Sequence, residues 1–271
     1  MKTILLHIHD DLGAESRLQA ALDTARAHDA HIRCVQMTPA PDMLAADIYG
    51  GAGYAPSIVA ELREHDEGYR AKMEARLVRE DVAWDWQQAD GDSLGGLIGA
   101  SILADLIVVT LPDGARNGVD DPLAIVPDLA LAARAPVLAV PPVAKGFAAS
   151  GRALVAWDGS AEAGAALRAA VPLLKRAGTV DVVTIEEADK ALFPAGAAPE
   201  YLARHGIGAE WHSWPRKGRA IDAALAEAVD HLAADWVVMG AFGHSRLREF
   251  VFGGVTRAML RGAQVPLLLA H

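Results

Sequence analysis

The sequence predicts an α/β fold made of two tandem open parallel sheets, and three observations support this prediction. Short apolar runs alternate with alanine-rich stretches of ten or more residues, which is typical of strands and crossover helices in βαβ units. Two such runs, at residues 105–109 and 136–140, recur in the second half at 235–239 and 266–270. In both halves the first residues of the two runs are 31 positions apart. The repeat therefore has an offset of 130.

The front ends of the two halves also correspond. Apolar runs at residues 3–6 and 153–156 end in acidic turns that contain Asp11 and Asp158. Alanine-rich helices follow at 15–27 and 161–177, and second strands follow at 31–37 and 180–185. Aligning the two aspartates gives an offset of 147, so the first half carries about 17 additional residues. We place them within residues 38–69, before and within a helix predicted over 56–80.

The repeat divides the chain into two domains, residues 1–143 and residues 151–271. A stretch over 141–151 that opens with two prolines separates them and is predicted to be a linker. Both domains are long enough to form a core of their own. In open parallel sheets ligands bind at the carboxyl ends of the strands, near the point where the strand order reverses.

The composition excludes several classes of protein. With 52% hydrophobic and 22% charged residues in 271, the chain matches a globular protein and not a disordered or collagenous one. No apolar run approaches the roughly 18 residues of a membrane span, and the N-terminus does not resemble a secretory signal. A single cysteine, Cys34, is predicted to lie in the core and fits a cytoplasmic location. The net charge of −10 argues against a nucleic-acid partner.

Glycines follow the strand at residues 236–239 in a pattern that favours anion binding. They form two pairs, Gly240 with Gly243 and Gly253 with Gly254. The second pair directly precedes a helix predicted over 255–261, and Thr256 lies in its first turn. Without side chains, the backbone N–H groups can approach a phosphate, and a helix N-terminus adds partial positive charge. The set predicts a phosphate-binding loop in the second half.

The motif Gly240-x-x-Gly243, nine residues, then Gly253-Gly254-Val255-Thr256 resembles the nucleotide motif of the universal stress protein family. The Asp158-Gly159-Ser160 turn and the final strand opened by proline are similar to that family as well. The resemblance covers the second half and, more faintly, the first. The chain thus resembles a tandem universal stress protein.

This resemblance implies two five-stranded domains of the adenine-nucleotide α-hydrolase type, packed as an internal pseudo-dimer, with a further homodimer left open. It implies ATP as a regulatory ligand, together with Mg²⁺, in a stress response. The acidic residue after the first strand approaches the adenosine, a backbone group late in the second strand contacts the base, and the glycine loop holds the phosphates. The residues assigned to the nucleotide in this way are Asp158, Ile185, Met239, Gly240, Gly243, Gly253, Gly254, Val255 and Thr256.

Two departures from the family pattern matter. Gly254 stands where the family usually has Ser or Thr, so a hydroxyl donor worth about 0.5–1.5 kcal/mol is lost and binding weakens up to about tenfold. At the offset of 130, the first half replaces all four motif glycines. The replacements are Thr110, Asp113, Leu123 and Ala124. We predict that the first half binds no nucleotide by this route, and that its site is filled by side chains or holds another ligand.

Two other functions remain open from the sequence. One is a nucleotide-free interaction or scaffold protein of the same fold. The other is a metal-dependent hydrolase that uses His7, His9 and Asp10, because alternate residues of a strand share a face. Neither a Walker A sequence nor a G-x-S-x-G elbow occurs, and Ser160 is predicted to cap a helix. We therefore assign no catalytic residue and no protein-bound metal, and expect at most slow ATP hydrolysis.

Overall fold

The computed structural model describes residues 1–39, 56–111, 125–186, 196–241 and 254–271. Within these ranges ten strands belong to one sheet. They are β1 (Thr3–Ile8), β2 (His31–Thr38), β3 (Trp84–Asp90), β4 (Leu106–Thr110), β5 (Val137–Val140), β6 (Arg152–Ala156), β7 (Thr179–Ile185), β8 (Glu210–Trp214), β9 (Trp236–Gly240) and β10 (Leu267–Ala270). The helices are α1 (Ala14–His28), α2 (Pro56–Leu77), α3 (Ser93–Ala100), α4 (Val126–Ala132), α5 (Ala161–Leu174), α6 (Ala197–Arg204), α7 (Ile221–His231) and α8 (Gly254–Gly262), and a 3₁₀ turn covers Ser101–Leu103.

The strand order is β3-β2-β1-β4-β5-β10-β9-β6-β7-β8. Within each half all neighbouring strands are parallel, whereas β5 and β10 pair antiparallel with Leu138 opposite Leu268. The predicted α/β class with five parallel strands in each half is confirmed. The antiparallel pair joins the two halves into one continuous sheet, and the order of strands is the same when read outward from that pair.

The sheet separates two apolar layers. The central strands are buried on both faces, as expected for parallel strands covered by crossover helices. One layer packs α1, α2, α5 and α6 against the sheet, and the other packs α3, α4, α7 and α8. The outer strands β3 and β8 are more exposed and leave the two ends of the sheet as free edges within the described residues.

The stretch between the halves is packed against both of them. Phe147 is buried, and its ring meets the Trp236 ring edge-on with centroids 5.3 Å apart. The Phe147 N–H donates to the Asp23 carboxylate at 3.0 Å, and the Ser16 hydroxyl donates to the carbonyl of Pro142 at 2.9 Å. The predicted linker is thus irregular in backbone but fixed by contacts with β9 and α1.

The element boundaries agree with the sequence predictions to within a few residues. Helix α2 ends at Leu77 and is much longer than its counterpart α6, with 22 residues against 8. Part of the additional length of the first half therefore lies in α2, while residues 40–55 of the predicted insertion lie outside the described ranges. Cys34 is fully buried, as predicted, and burial raises the pKa of its thiol to about 12. None of the helices in the described ranges is long and apolar enough to span a membrane.

Candidate functional site

A cleft of about 270 Å³ opens at the carboxyl ends of β6, β7 and β9. It lies where the strand order of the second half reverses between β6 and β9, the position at which open α/β sheets bind ligands. Its lining residues are Ala156, Trp157, Asp158, Ser160, Glu162, Ala163, Val183, Ile185, Ile221, Leu225, Met239, Gly240, Gly254, Val255 and Thr256. The apolar members come mainly from β7, β9 and α7, whereas the polar ones follow β6 and begin α8.

The turn after β6 is fixed by its own side chains. The Ser160 N–H donates to Asp158 Oδ1 at 2.9 Å, and the Ala163 N–H donates to Ser160 Oγ at 3.1 Å. Gly159 has φ of 76°, a left-handed conformation that glycine adopts without strain. Ser160 is therefore the N-cap of α5, as predicted. Asp158 stays exposed at the rim of the cleft.

Gly240 permits β9 to end directly against the start of α5. A Cβ at this position would lie 2.6 Å from the Ala163 nitrogen and 2.6 Å from the Glu162 carbonyl carbon. Both atoms belong to the backbone, so a side chain here requires the first turn of α5 to move. Glycine is thus a packing requirement at Gly240, in addition to any role in ligand binding.

Helix α8 also begins at the cleft. Its first three residues, Gly254, Val255 and Thr256, all line the cavity. The N–H groups of a first helical turn have no acceptor within the helix, so they favour an anion. Among the described residues, a Cβ at Gly254 would meet nothing within 4 Å, so none of them requires a glycine there for packing.

The structure brings together seven of the nine residues assigned to the nucleotide, and Gly243 and Gly253 lie outside the described ranges. The sequence analysis missed Glu162, which lies two residues after the N-cap of α5 and also lines the cleft. The first turn of a helix that follows a strand faces the ligand edge of the sheet. An acidic residue in that turn is therefore the signal by which Glu162 could have been found.

The corresponding place in the first half is filled by Arg17. Its side chain is 2% exposed; Nε donates to the His7 carbonyl at 2.7 Å and Nη2 donates to the His9 carbonyl at 2.9 Å. Nη1 pairs with Asp11 Oδ2 at 3.0 Å and also donates to the Thr110 hydroxyl. The guanidinium thus bridges the ends of β1 and β4 and neutralises the counterpart of Asp158. The position of Arg17 agrees with filling by a side chain, one of the two outcomes left open by the sequence, and the absence of nucleotide from the first half stays a prediction.

The contact between strand end and helix start is inverted in the first half. Thr110, the counterpart of Gly240, carries a side chain, and Gly13 stands where the second half has Ser160. A Cβ at Gly13 would lie 2.2 Å from Thr110 Cγ2. In each half one of the two positions is glycine and the other has the side chain, so the helix approaches the strand closely in both.

The described residues do not support the metal site at His7, His9 and Asp10. The two imidazole rings stack with centroids 6.0 Å apart, but His7 is buried beside Arg17, and Asp10 pairs instead with His65 at 3.2 Å. Burial, with a smaller effect from the Arg17 charge, holds the pKa of His7 well below its usual range. The neighbouring guanidinium also opposes binding of a cation.

One group of potential metal ligands occurs elsewhere in the described part of the chain, on β7 and β8 near their amino ends. Ligand atoms of Asp181, Glu210 and His212 lie within 4.8 Å of one another. Asp181 is already paired with Arg152 at 3.2 Å and with His212 at 2.8 Å. This group therefore forms a local ion-pair network at the end of the strands opposite to the cleft.

These features define the second half as an open α/β module with a cleft at its switch point. The model of the universal stress protein family matches residues 186–271. Gly240 and the start of α8 lie within the matched segment, and Asp158 lies before it. Universal stress protein Slr1230 from Synechocystis is 33% identical over 132 residues, which cover 46% of this chain and 44% of that protein. The match thus spans less than half of the curated relative.

Solved structures share the fold over the whole chain. A universal stress protein from Archaeoglobus fulgidus superimposes with a TM-score of 0.75 at 16% identity, covering 99% of this chain and 97% of that one. A functionally unknown protein from Pseudomonas aeruginosa superimposes with a TM-score of 0.56 at 18% identity, covering 99% and 92%. At these identities the likeness establishes the fold alone. It shows that a fold similar to that of the whole chain occurs in other single chains.

Proposed function

We propose that the second half binds ATP, as its complex with Mg²⁺, and that this ligand regulates the protein in a stress response. The observation that carries the proposal is the cleft at the switch point. It combines an apolar wall, an acidic residue at its rim and a helix N-terminus. The family match over residues 186–271 supports the same role.

The two sides of the cleft suit the two ends of a nucleotide. The apolar side, with Val183, Ile185 and Met239, provides a surface for a base, and the backbone at Ile185 would contact the base edge. On the other side, Gly240 allows close approach, and the start of α8 offers N–H groups to phosphates. The Asp158 carboxylate is an acceptor for ribose hydroxyls. In this proposal Gly243 and Gly253 complete the phosphate loop.

The nucleotide is proposed as a ligand and not as a rapidly consumed substrate. The cleft lining in the described residues contains neither lysine nor arginine to stabilise the charge that develops in phosphoryl transfer. Binding that alters the second half can be passed to the first through the β5–β10 pair and the Phe147–Trp236 contact. A regulatory effect on the whole chain is therefore compatible with one nucleotide site.

The direct test has two parts. Acid extraction of the purified protein followed by chromatography shows whether nucleotide is bound, and a thermal-shift titration with Mg-ATP measures stabilisation. A ligand present at 100 times its Kd stabilises by about 2.7 kcal/mol. Absence of bound nucleotide, together with no shift at millimolar ATP, would overturn the proposal.

A second candidate function is that of a nucleotide-free interaction protein. Two observations favour it: the first-half site is closed by Arg17, and Gly254 supplies no hydroxyl at the start of α8. It predicts that Mg-ATP does not change the melting temperature of the wild-type protein. The same is expected for variants with substitutions in the cleft. The same titration therefore separates the two candidates.

A further inference from the structure

The residue that follows β10 is bonded to the residue that follows β9. His271 comes directly after β10, and its Nδ1 atom lies 2.9 Å from the carbonyl oxygen of Ala241. A carbonyl oxygen only accepts hydrogen bonds, so the imidazole is the donor. The Ala241 N–H in turn donates to the Ala270 carbonyl at 2.8 Å. Both backbone polar groups of Ala241 are therefore bonded to the segment formed by Ala270 and His271.

This bond acts at the phosphate side of the proposed site. Ala241 is fully buried and directly follows Gly240, which ends β9 and lines the cleft. Backbone groups that bind a phosphate lose conformational freedom unless they are held beforehand, so fixing Ala241 reduces the cost of binding at Gly240. Strand β10 lies on one side of β9, whereas the cleft opens on the other side, toward β6. His271 therefore acts through the end of β9.

The counterpart of this residue in the first half cannot make the same bond. At the offset of 130, the counterpart of Ala241 is Leu111, whose N–H donates to the Val140 carbonyl at 2.7 Å. The counterpart of His271 is Pro141. Proline has neither a backbone N–H nor a polar side chain, so it offers no donor to the Leu111 carbonyl. The histidine thus occurs in the half that has the motif glycines and the open cleft.

We propose that His271 is a positioning residue of the nucleotide site, and that its bond to the Ala241 carbonyl holds the end of β9 ready for the phosphates. This inference rests on the proposed nucleotide binding. The effect of His271 is confined to the end of the ligand that meets Gly240. The affinity for ATP therefore depends on His271, whereas the affinity for adenosine, which has no phosphate, does not.

Two substitutions separate the hydrogen bond from the rest of the side chain. His271→Ala removes the donor. His271→Asn keeps one, because the amide nitrogen of asparagine is attached to Cγ, as Nδ1 is in histidine. His205→Ala is the matched control in the same half. His205 is also exposed, and it lies between α6 and β8, at the edge of the sheet opposite to the cleft.

The experiment measures the Kd of the full chain for Mg-ATP and for adenosine by calorimetry. In His271→Ala the Kd for ATP is expected to rise by about three- to tenfold, the range for one hydrogen bond. The Kd of this variant for adenosine is expected to stay within about twofold of wild type. His271→Asn is expected to restore the affinity for ATP to within about twofold, and His205→Ala to bind both ligands as wild type does.

The outcomes distinguish this inference from the nucleotide site itself. If wild-type protein binds ATP and His271→Ala binds it within about twofold of wild type, His271 has no positioning role and ATP binding stands. A loss that is equal for ATP and adenosine, or one that His271→Asn does not restore, would also overturn the inference, because the bond would then not act at the phosphates. If wild-type protein binds no ATP, the proposed function fails and the inference fails with it.

Discussion

The two halves share one fold but differ where their strands end. In the second half a cleft is open at the ends of β6, β7 and β9, whereas in the first half the guanidinium of Arg17 bridges the ends of β1 and β4. The counterpart of Arg17 at the offset of 147 is Gly164, which has no side chain to reach the strand ends. The residue at this one position of the first helix, Arg17 or Gly164, thus distinguishes the filled site of the first half from the open cleft of the second.

A second difference concerns how the helix and the strand meet. Thr110 and Gly13 in the first half exchange roles with Gly240 and Ser160 in the second. Ser160 caps α5, whereas α1 begins at a glycine that makes no side-chain cap. Both halves nevertheless keep the same aspartate turn, in which the Asp11 or Asp158 carboxylate accepts a backbone N–H two residues later. The local turn is preserved while the cleft beside it is opened or filled.

Converting Gly240 into its first-half counterpart is expected to have the largest effect. In Gly240→Thr the new Cβ would lie 2.6 Å from the backbone of α5, which displaces Glu162 and Ser160 from the cleft. We expect ATP affinity to fall by about a hundredfold or more, as measured by calorimetry. Gly254→Ala is the control because no described residue lies within 4 Å of the added Cβ, and it should fold with an unchanged melting temperature. Binding within threefold of wild type in folded Gly240→Thr would contradict the comparison.

Removing the side chain that fills the first half is expected to destabilise the protein. Arg17→Ala removes the guanidinium donor from the Asp11 carboxylate and from the carbonyls of His7 and His9. Because Asp11 is partly exposed, the loss should be about 3 kcal/mol in urea unfolding, at the lower end for a broken buried pair. Arg204→Ala removes an exposed pair on α6 and should cost about 0.5 kcal/mol at most. A loss below about 1 kcal/mol for Arg17→Ala would show that the guanidinium does not secure the strand ends.

The buried His7 predicts a dependence of stability on pH that originates in the first half. Burial lowers the pKa of His7 in the folded state, so below about pH 6.5 the unfolded chain binds a proton that the folded chain excludes. Titration of His7 therefore does not lower the free energy of unfolding above that pH. The free energy of unfolding declines as the pH falls from there toward the pKa of His7 in the folded state. Urea unfolding at pH 7.5 and 5.5 should show a decline that is smaller by about 1 kcal/mol in His7→Gln. His205→Gln, at an exposed position, should keep the wild-type decline. An equal decline in His7→Gln and wild type would exclude His7 as the source.

Restoring the hydroxyl that the family usually has at the start of α8 is expected to have the smallest effect. No described residue lies within 4 Å of a Cβ added at Gly254. Gly254→Ser should tighten ATP binding by up to about tenfold, from one hydrogen bond of about 0.5–1.5 kcal/mol, with little change in stability. Calorimetry with Mg-ATP measures the difference. Weaker binding in Gly254→Ser would place the phosphates away from this end of the helix.

Most of the fold could be predicted from the sequence because the repeat is visible in the spacing of apolar runs. The strand–helix alternation and the two proline-opened final strands determine the parallel halves. The continuous ten-stranded sheet depends on the antiparallel pairing of Leu138 with Leu268, for which the sequence has no local signal. From the sequence alone, the final strand of each half could equally be an unpaired edge of its own sheet.

The candidate site could be predicted in part. Asp158, Gly240 and the start of α8 follow strands directly, so their place at the ligand edge follows from topology. Glu162 could be assigned only from its place in the first turn of α5, and Arg17 could not be assigned, because the reach and direction of a long side chain depend on tertiary contacts. The missing glycines of the first half indicated a lost loop, but not which side chain had filled the site.

The number of nucleotides bound per chain tests the central claim most directly. Equilibrium dialysis of the full chain against labelled ATP in excess Mg²⁺ measures this number without any substitution. An open second-half cleft and a first half filled by Arg17 predict one ATP per chain. Two ATP per chain would show that Arg17 does not close the first half, and none would show that the cleft of the second half is not a nucleotide site.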